Sequence, residues 1–160
     1  MDAKQHAYEQ IAALVDKFGR QIDNYKSANY NETLTRRDFI DPFFEALGWD
    51  INNRQNLWEG YRQVIHEDKI KIGSSTKAPD YSFRLPGGQR LFFVEAKKPN
   101  VDIYKGYEPA RQVRLYGWNA KLAISIVTDF EEFAVYDCSK TPGKNDKPSK
   151  GRIEYFTYKD

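Results

Sequence analysis

Asp80, Glu95 and Lys97 are of the types, and at the spacings, that could hold a divalent cation and act on a phosphodiester. Residues 80–85 and 91–97 read as strands separated by Pro86-Gly87-Gly88-Gln89, and Gly-Gly between strand-like runs signals a hairpin. If the chain reverses on Gly87 and Gly88, Asp80 faces Glu95 directly, with Cβ atoms about 4.5–5.5 Å apart; a longer loop would shift that register. Like charges directly opposed destabilise a sheet unless something positive lies between them. Lys97 follows Glu95 by two and projects from the same face. Mg²⁺ takes one or two protein carboxylates and fills its other positions with water and phosphate oxygens. Bound there, it would polarise a phosphate and acidify a water, while Lys97 would orient that water or steady developing negative charge. The same three residues would also serve as a surface acid pair neutralised by a lysine, and spacing alone does not separate the two readings.

The elements that must position this group follow from periodicity. Residues 5–25 carry Ile11, Leu14, Val15, Phe18 and Ile22 at helical spacing. After a polar stretch at 26–33, a second helix presents Phe39, Ile40, Phe43, Phe44 and Leu47 on one face and ends at Gly48. Thr35 and Asp38 form a capping-box pattern at its start, and Pro42 inside it predicts a kink with no evident compensation. Residues 63–66 read as a weak strand, 69–77 as a polar connection, 104–118 as a helix, and 133–137 and 153–158 as further strands. Residues 122–128 are nearly all apolar, as expected of a strand covered on both faces. Residues 141–152, rich in Pro, Gly and Lys, read as a mobile loop. The order predicts an α/β sandwich with a central mixed sheet flanked by helices, an αβββαβ core in which 122–128 runs parallel to 91–97.

With 160 residues the chain suits one domain spanning 1–160. A single cysteine, Cys138, excludes an intramolecular disulfide framework and fits a reducing, cytoplasmic setting. No apolar run approaches the roughly 20 residues that span a bilayer, so no membrane partner is expected. The net charge of +2 is low for a stand-alone DNA binder, whose affinity rests on phosphate neutralisation. Composition therefore does not announce nucleic acid; it permits a nuclease held on its substrate by other domains. His6 and His66, with one distant cysteine, make no zinc cluster, and Gly143-Lys144 lacks the rest of a Walker motif.

Pro79-Asp80 followed by Glu95-Ala96-Lys97 resembles the PD-(D/E)xK nuclease signature, and Gln112 through Tyr116 resembles the QxxxY motif of its RecB-like branch. Thr35-Arg36-Arg37, Ile40-Asp41-Pro42 and Leu47-Gly48-Trp49 resemble the entry helix of type I restriction R-subunit N-terminal domains and of fused type IIG restriction-modification enzymes. The resemblance spans roughly residues 30–137 and implies a restriction-endonuclease-like fold. It also implies an Mg²⁺-dependent (Mn²⁺-tolerant) endonuclease acting on double-stranded DNA, with methyltransferase, specificity or helicase domains in the same polypeptide or complex. On that footing the chain is an N-terminal fragment of a larger protein. Asp80, Glu95 and the Ala96 carbonyl would ligate the metal, Lys97 would be catalytic, and Gln112 and Tyr116, which share a helix face, would support the site. Glu32 is the helix acid expected to complete it, with Glu45 as the rival. Lys98, Arg111 and Arg114 are the expected DNA contacts. The competing expectation is a non-catalytic DNA-binding or scaffolding domain of the same fold.

Overall fold

Hydrophobic spacing along the N-terminal third is realised as a layer of short helices, seen in a computed structural model that describes residues 2–160. Asp2 caps α1 (Ala3–Arg20) by accepting from the Gln5 amide at 2.7 Å. The chain breaks at Gln21 before α2 (Ile22–Tyr25), so the single helix expected over 5–25 is two pieces. The break lets the Tyr25 ring stack on Phe18 at 5.4 Å, and both pack with Phe39, Phe130 and Phe133.

The second helical run departs further from expectation. It starts at Glu32, with Asn31 as the cap, accepting from the Leu34 amide at 2.8 Å. Thr35 is no cap: it is buried and its hydroxyl donates back to the Asn31 carbonyl, while Asp38 accepts from the Tyr30 hydroxyl. After α3 (Glu32–Thr35) the chain widens into a π-helical turn, Arg36–Ile40, before α4 (Asp41–Ala46). The Asp41 amide bonds to the Arg36 carbonyl, five residues back. This accounts for Pro42: the helical run is continuous, and the widened turn just before the proline accommodates its ring and missing N–H at the start of α4. Gly48 ends the run at φ +103°, its amide bonding to Glu45 and the Trp49 amide to Phe44, the Schellman pattern. Leu47, expected in the core, is 52% exposed because it occupies the cap turn rather than the buried face.

Six strands form one sheet in the order β1 (Val64–His66), β4 (Tyr81–Arg84), β5 (Arg90–Ala96), β6 (Ile124–Thr128), β7 (Glu132–Asp137), β8 (Arg152–Thr157). Only β5 and β6 pair in parallel, joined by the crossover helix α5 (Tyr107–Asn119). The expected αβββαβ core is present, extended by β7 and by β8 at the sheet edge. The stretch 69–77, expected as a simple connection, is instead a small ribbon, β2 (Ile70–Ile72) with β3 (Ser75–Lys77). Ile70 joins Phe93, Tyr116 and Leu122 beneath it.

The helices divide between the two faces. Ile40 and Phe44 pack with Tyr81, Phe83, Val94 and Ala96 on one side. On the other, Ala110 and Val113 of α5 pack with Val127, Ala134 and Tyr136. Residues 141–152 are tied down rather than free. Arg114 pairs with Asp146 at 2.8 Å, Tyr107 donates to the Lys144 carbonyl, and Tyr136 donates to that of Pro148. Among the described residues no helix is long and apolar enough to cross a membrane.

The turn between β6 and β7 carries a stability prediction. Asp129 is fully buried; one carboxylate oxygen accepts from the Glu132 amide and the other has no partner. Burial, reinforced by the Glu132 and Glu131 charges, raises its pKa well above the carboxylate range, against the pull of the Glu132 amide and Lys26. The folded chain therefore favours the protonated acid, and stability falls as pH rises past the unfolded value of about 3.9. Asp129→Asn keeps the acceptor for Glu132 and removes the charge. Its melting temperature should exceed the parent's at pH 7 by more than it does at pH 4; an equal difference at both pH values would show that Asp129 is not the titrating group.

Candidate active site

Asp80 and Glu95 meet at the end of the β4–β5 hairpin, and each is held by the backbone of the other's strand. The Asp80 amide donates to Glu95 Oε1 and the Ala96 amide to Asp80 Oδ2, both at 2.8 Å. The strand register, Tyr81 opposite Val94 and Ser82 opposite Phe93, continues to this pair. Each acid thus has one oxygen fixed, while among the described residues no hydrogen bond reaches Asp80 Oδ1 or Glu95 Oε2. Glu95 is buried, at 4% exposure. That burial first, and the Asp80 charge next, push its pKa up to about 8, against the Asp80 amide and Lys97.

Lys97 stands beside the pair. Its backbone amide bonds to the Thr128 carbonyl, which ties the strand end to β6, and its Nζ donates to Gln112 Oε1 at 2.8 Å. Gln112 Nε2 in turn donates to the Tyr116 hydroxyl at 3.1 Å. One face of α5 therefore aims the lysine through a chain of two hydrogen bonds. Glu32 enters from the opposite helical layer at the start of α3. Burial and then the Asp80 charge raise its pKa, while Lys97 and Arg36 lower it. Glu45 lies elsewhere, 3.9 Å from Arg54.

The expected DNA contacts separate. Lys98 and Arg111 are half-buried, with Arg111 Nε unpartnered. Arg114 is 4% exposed and committed to Asp146 under the 141–152 segment, so it is not presented to a phosphate. The Val113 and Arg114 side of α5 faces the sheet and the loop, a direction helical spacing alone left undetermined.

Two residues that the sequence reading did not assign to the site lie against it. Arg36 lies over the Tyr81 ring at 4.6 Å, with Nη1 3.6 Å from Asp80 Oδ1 and Nη2 3.3 Å from the Asp80 carbonyl. His66 accepts from Arg36 Nη2 at Nδ1, at 3.0 Å, since its Nε2 donates to the Ile51 carbonyl. His66 was legible only as a strand residue, and Arg36 only as part of a motif.

As a donor set this suits a hard cation. Two carboxylates each keep an oxygen free of hydrogen bonds, one acid is unsettled by the other's charge, and a lysine stands alongside. Among the described residues no three of His, Cys, Asp and Glu converge as a metal cage.

A mixed six-stranded sheet flanked by helices, with an acid pair at the end of its β4–β5 hairpin, places the fold in the restriction-endonuclease-like class. The chain is 47% identical over 152 residues, 94% of its length, to the type II restriction enzyme and methyltransferase RM.Eco57I of Escherichia coli. It spans 15% of that relative's length. Its fold is shared with a fragment described as the HsdR subunit of a type I restriction enzyme from Vibrio vulnificus YJ016 (TM-score 0.51, 22% identity, 78% of this chain and 25% of that one). No protein-family model matches the chain. The resemblance to restriction enzymes drawn from the sequence agrees with the first of these comparisons, and the second shows the shared fold.

Proposed function

We propose that this chain is the Mg²⁺-dependent DNA-cleaving domain of a restriction-modification protein, hydrolysing phosphodiester bonds in double-stranded DNA. The reciprocal locking of Asp80 and Glu95 carries the reading. A purely structural acid pair gains nothing from a buried Glu95 whose pKa is raised by its burial and then by the Asp80 charge, whereas a cation held between the two acids relieves the burial and the repulsion. Asp80 and Glu95 would hold the ion, with the Ala96 carbonyl as the third protein ligand that the family resemblance implies. When bound, it supplies charge neutralisation at the phosphate and a more acidic water. Lys97, aimed by Gln112, would steady the charge that develops on the phosphate, and Glu32 adds a third carboxylate close enough to feel the Asp80 charge. Specificity would come from methyltransferase and target-recognition parts outside this chain, as the name of the Escherichia coli relative suggests. The net charge of +2 agrees with substrate held in part by such domains.

Calorimetric titration with Mn²⁺ and nicking of supercoiled plasmid test the reading together. The chain should take up Mn²⁺ and nick plasmid with Mg²⁺ or Mn²⁺ but not with EDTA, and Asp80→Asn should lose both properties. A chain that binds Mn²⁺ no better than Asp80→Asn, and cuts with neither metal, would leave a non-catalytic DNA-binding or scaffolding role instead.

A further inference from the structure

Among the described residues Arg36 is the one guanidinium within 4 Å of either acid of the pair, and the π-helical turn explains how it gets there. In an α-helix residues five apart diverge around the axis; the wider π turn brings Arg36 and Asp41 to the same side. Both then engage Tyr81, Arg36 over its ring and Asp41 by accepting from its hydroxyl. His66 and the Asp80 carbonyl hold Nη2 from the other direction. The guanidinium is thus fixed by three groups, the Tyr81 ring, His66 and the Asp80 carbonyl, and its distance to Asp80 Oδ1 is 3.6 Å, charge contact without a hydrogen bond. Its side chain is 19% exposed and that of Asp80 13%, so solvent screens this attraction only in part.

Building on the metal-site reading of Asp80 and Glu95, we propose that Arg36 is a resident counter-charge that sets how tightly the acid pair takes a divalent cation. It neutralises Asp80 in the metal-free chain without occupying Oδ1 by a hydrogen bond. The fold can then carry two opposed carboxylates while one oxygen stays open. Because the guanidinium is anchored, its positive charge stays in place when a cation arrives and weakens the cation's hold. Arg36 acts through Asp80 and is a positioning residue, not a catalytic one. A weaker grip favours a site in which the cation must exchange water for substrate oxygens.

The test compares Mn²⁺ titrations and melting temperatures of the parent, Arg36→Gln and Arg36→Lys at one pH and ionic strength. Arg36→Gln, which keeps a polar stem to pack on Tyr81, should lower the metal-free melting temperature yet bind Mn²⁺ about threefold to tenfold more tightly. Arg36→Lys, which keeps the charge, should restore most of the parent's affinity. A merely structural Arg36 moves both readouts the same way, and a Gln variant that is less stable and binds Mn²⁺ more weakly overturns the proposal. Parent and variant both failing to bind Mn²⁺ would sink the metal-site reading itself, and this proposal with it. Should Arg36→Gln not fold, His66→Ala provides the opposite sign: it frees the guanidinium from one of its anchors, so that Nη1 can close on Oδ1, and should weaken Mn²⁺ binding with the charge unchanged. Tighter binding in His66→Ala would also overturn the proposal.

Discussion

Lys97→Ala should cut plasmid at least about a hundredfold more slowly than the parent while folding normally and binding Mn²⁺ with little change. The expectation follows from what Lys97 touches. Its backbone amide, which the substitution keeps, makes the structural bond to Thr128. Among the described residues its Nζ bonds to Gln112 alone, so the fold loses one half-buried hydrogen bond, worth about 1 kcal/mol. The reaction loses a positioned cation next to the charge that develops on phosphate, and removing one such group costs about 10²–10³ in rate. Lys97→Arg keeps the charge, but a planar guanidinium cannot reproduce a point contact with Gln112, so it should recover only part of the activity. Gln112→Ala should resemble a milder Lys97→Ala, because it frees the ammonium without removing it. Undiminished cleavage by Lys97→Ala, measured at saturating Mg²⁺, would show that the lysine has no part in the reaction.

The acid pair was legible in the sequence for an instructive reason. Its geometry depends on the pairing of two adjacent strands, which short-range pattern determines. The assumed turn was nonetheless incorrect. The Leu85 amide bonds to the Gln89 carbonyl and the Gly88 amide to that of Leu85, so the loop is longer than two residues. Pairing then runs Arg84 with Arg90 but Phe83 with Phe92, which leaves Leu91 as the extra residue of a bulge. The longer loop shifts the register by one and the bulge shifts it back, so Asp80 still meets Glu95.

Arg36, by contrast, reaches Asp80 from a separate layer across 44 residues, and no periodicity reports such a contact. The π turn that delivers it was visible only as the unexplained cost of Pro42. The β2–β3 ribbon was missed because Lys69 to Lys77 carries only two large apolar residues, Ile70 and Ile72, too few to show an alternation. Arg114 was misread for a related reason: a charged residue on an amphipathic helix is expected to face solvent, and its burial depends on Asp146, supplied by a distant loop.

Gly117→Ala should destabilise the fold by about 1–3 kcal/mol and also slow cleavage, although residue 117 touches none of the acids. A methyl group there would lie 2.4 Å from Cys138 Sγ, 2.7 Å from Cys138 Cβ and 2.8 Å from Ser125 Oγ. Cys138, just past β7, and Ser125 on β6 are both buried, so neither can swing away into solvent. The helix must lift from the sheet by the better part of a methyl radius. Tyr116 precedes Gly117 and Gln112 is little more than a turn away, so the shift propagates along α5 to the bond that aims Lys97. Loss of a near-attack arrangement by a fraction of an ångström is enough to slow chemistry substantially. Adding Cys138→Ala to Gly117→Ala removes the sulfur and should recover part of both stability and rate, a coupling that independent sites would not show. If the two substitutions were simply additive in melting temperature and in rate, α5 would not be seated through the Gly117–Cys138 contact, and the close approach of this helix to β6 could not be what aligns Gln112 with the lysine.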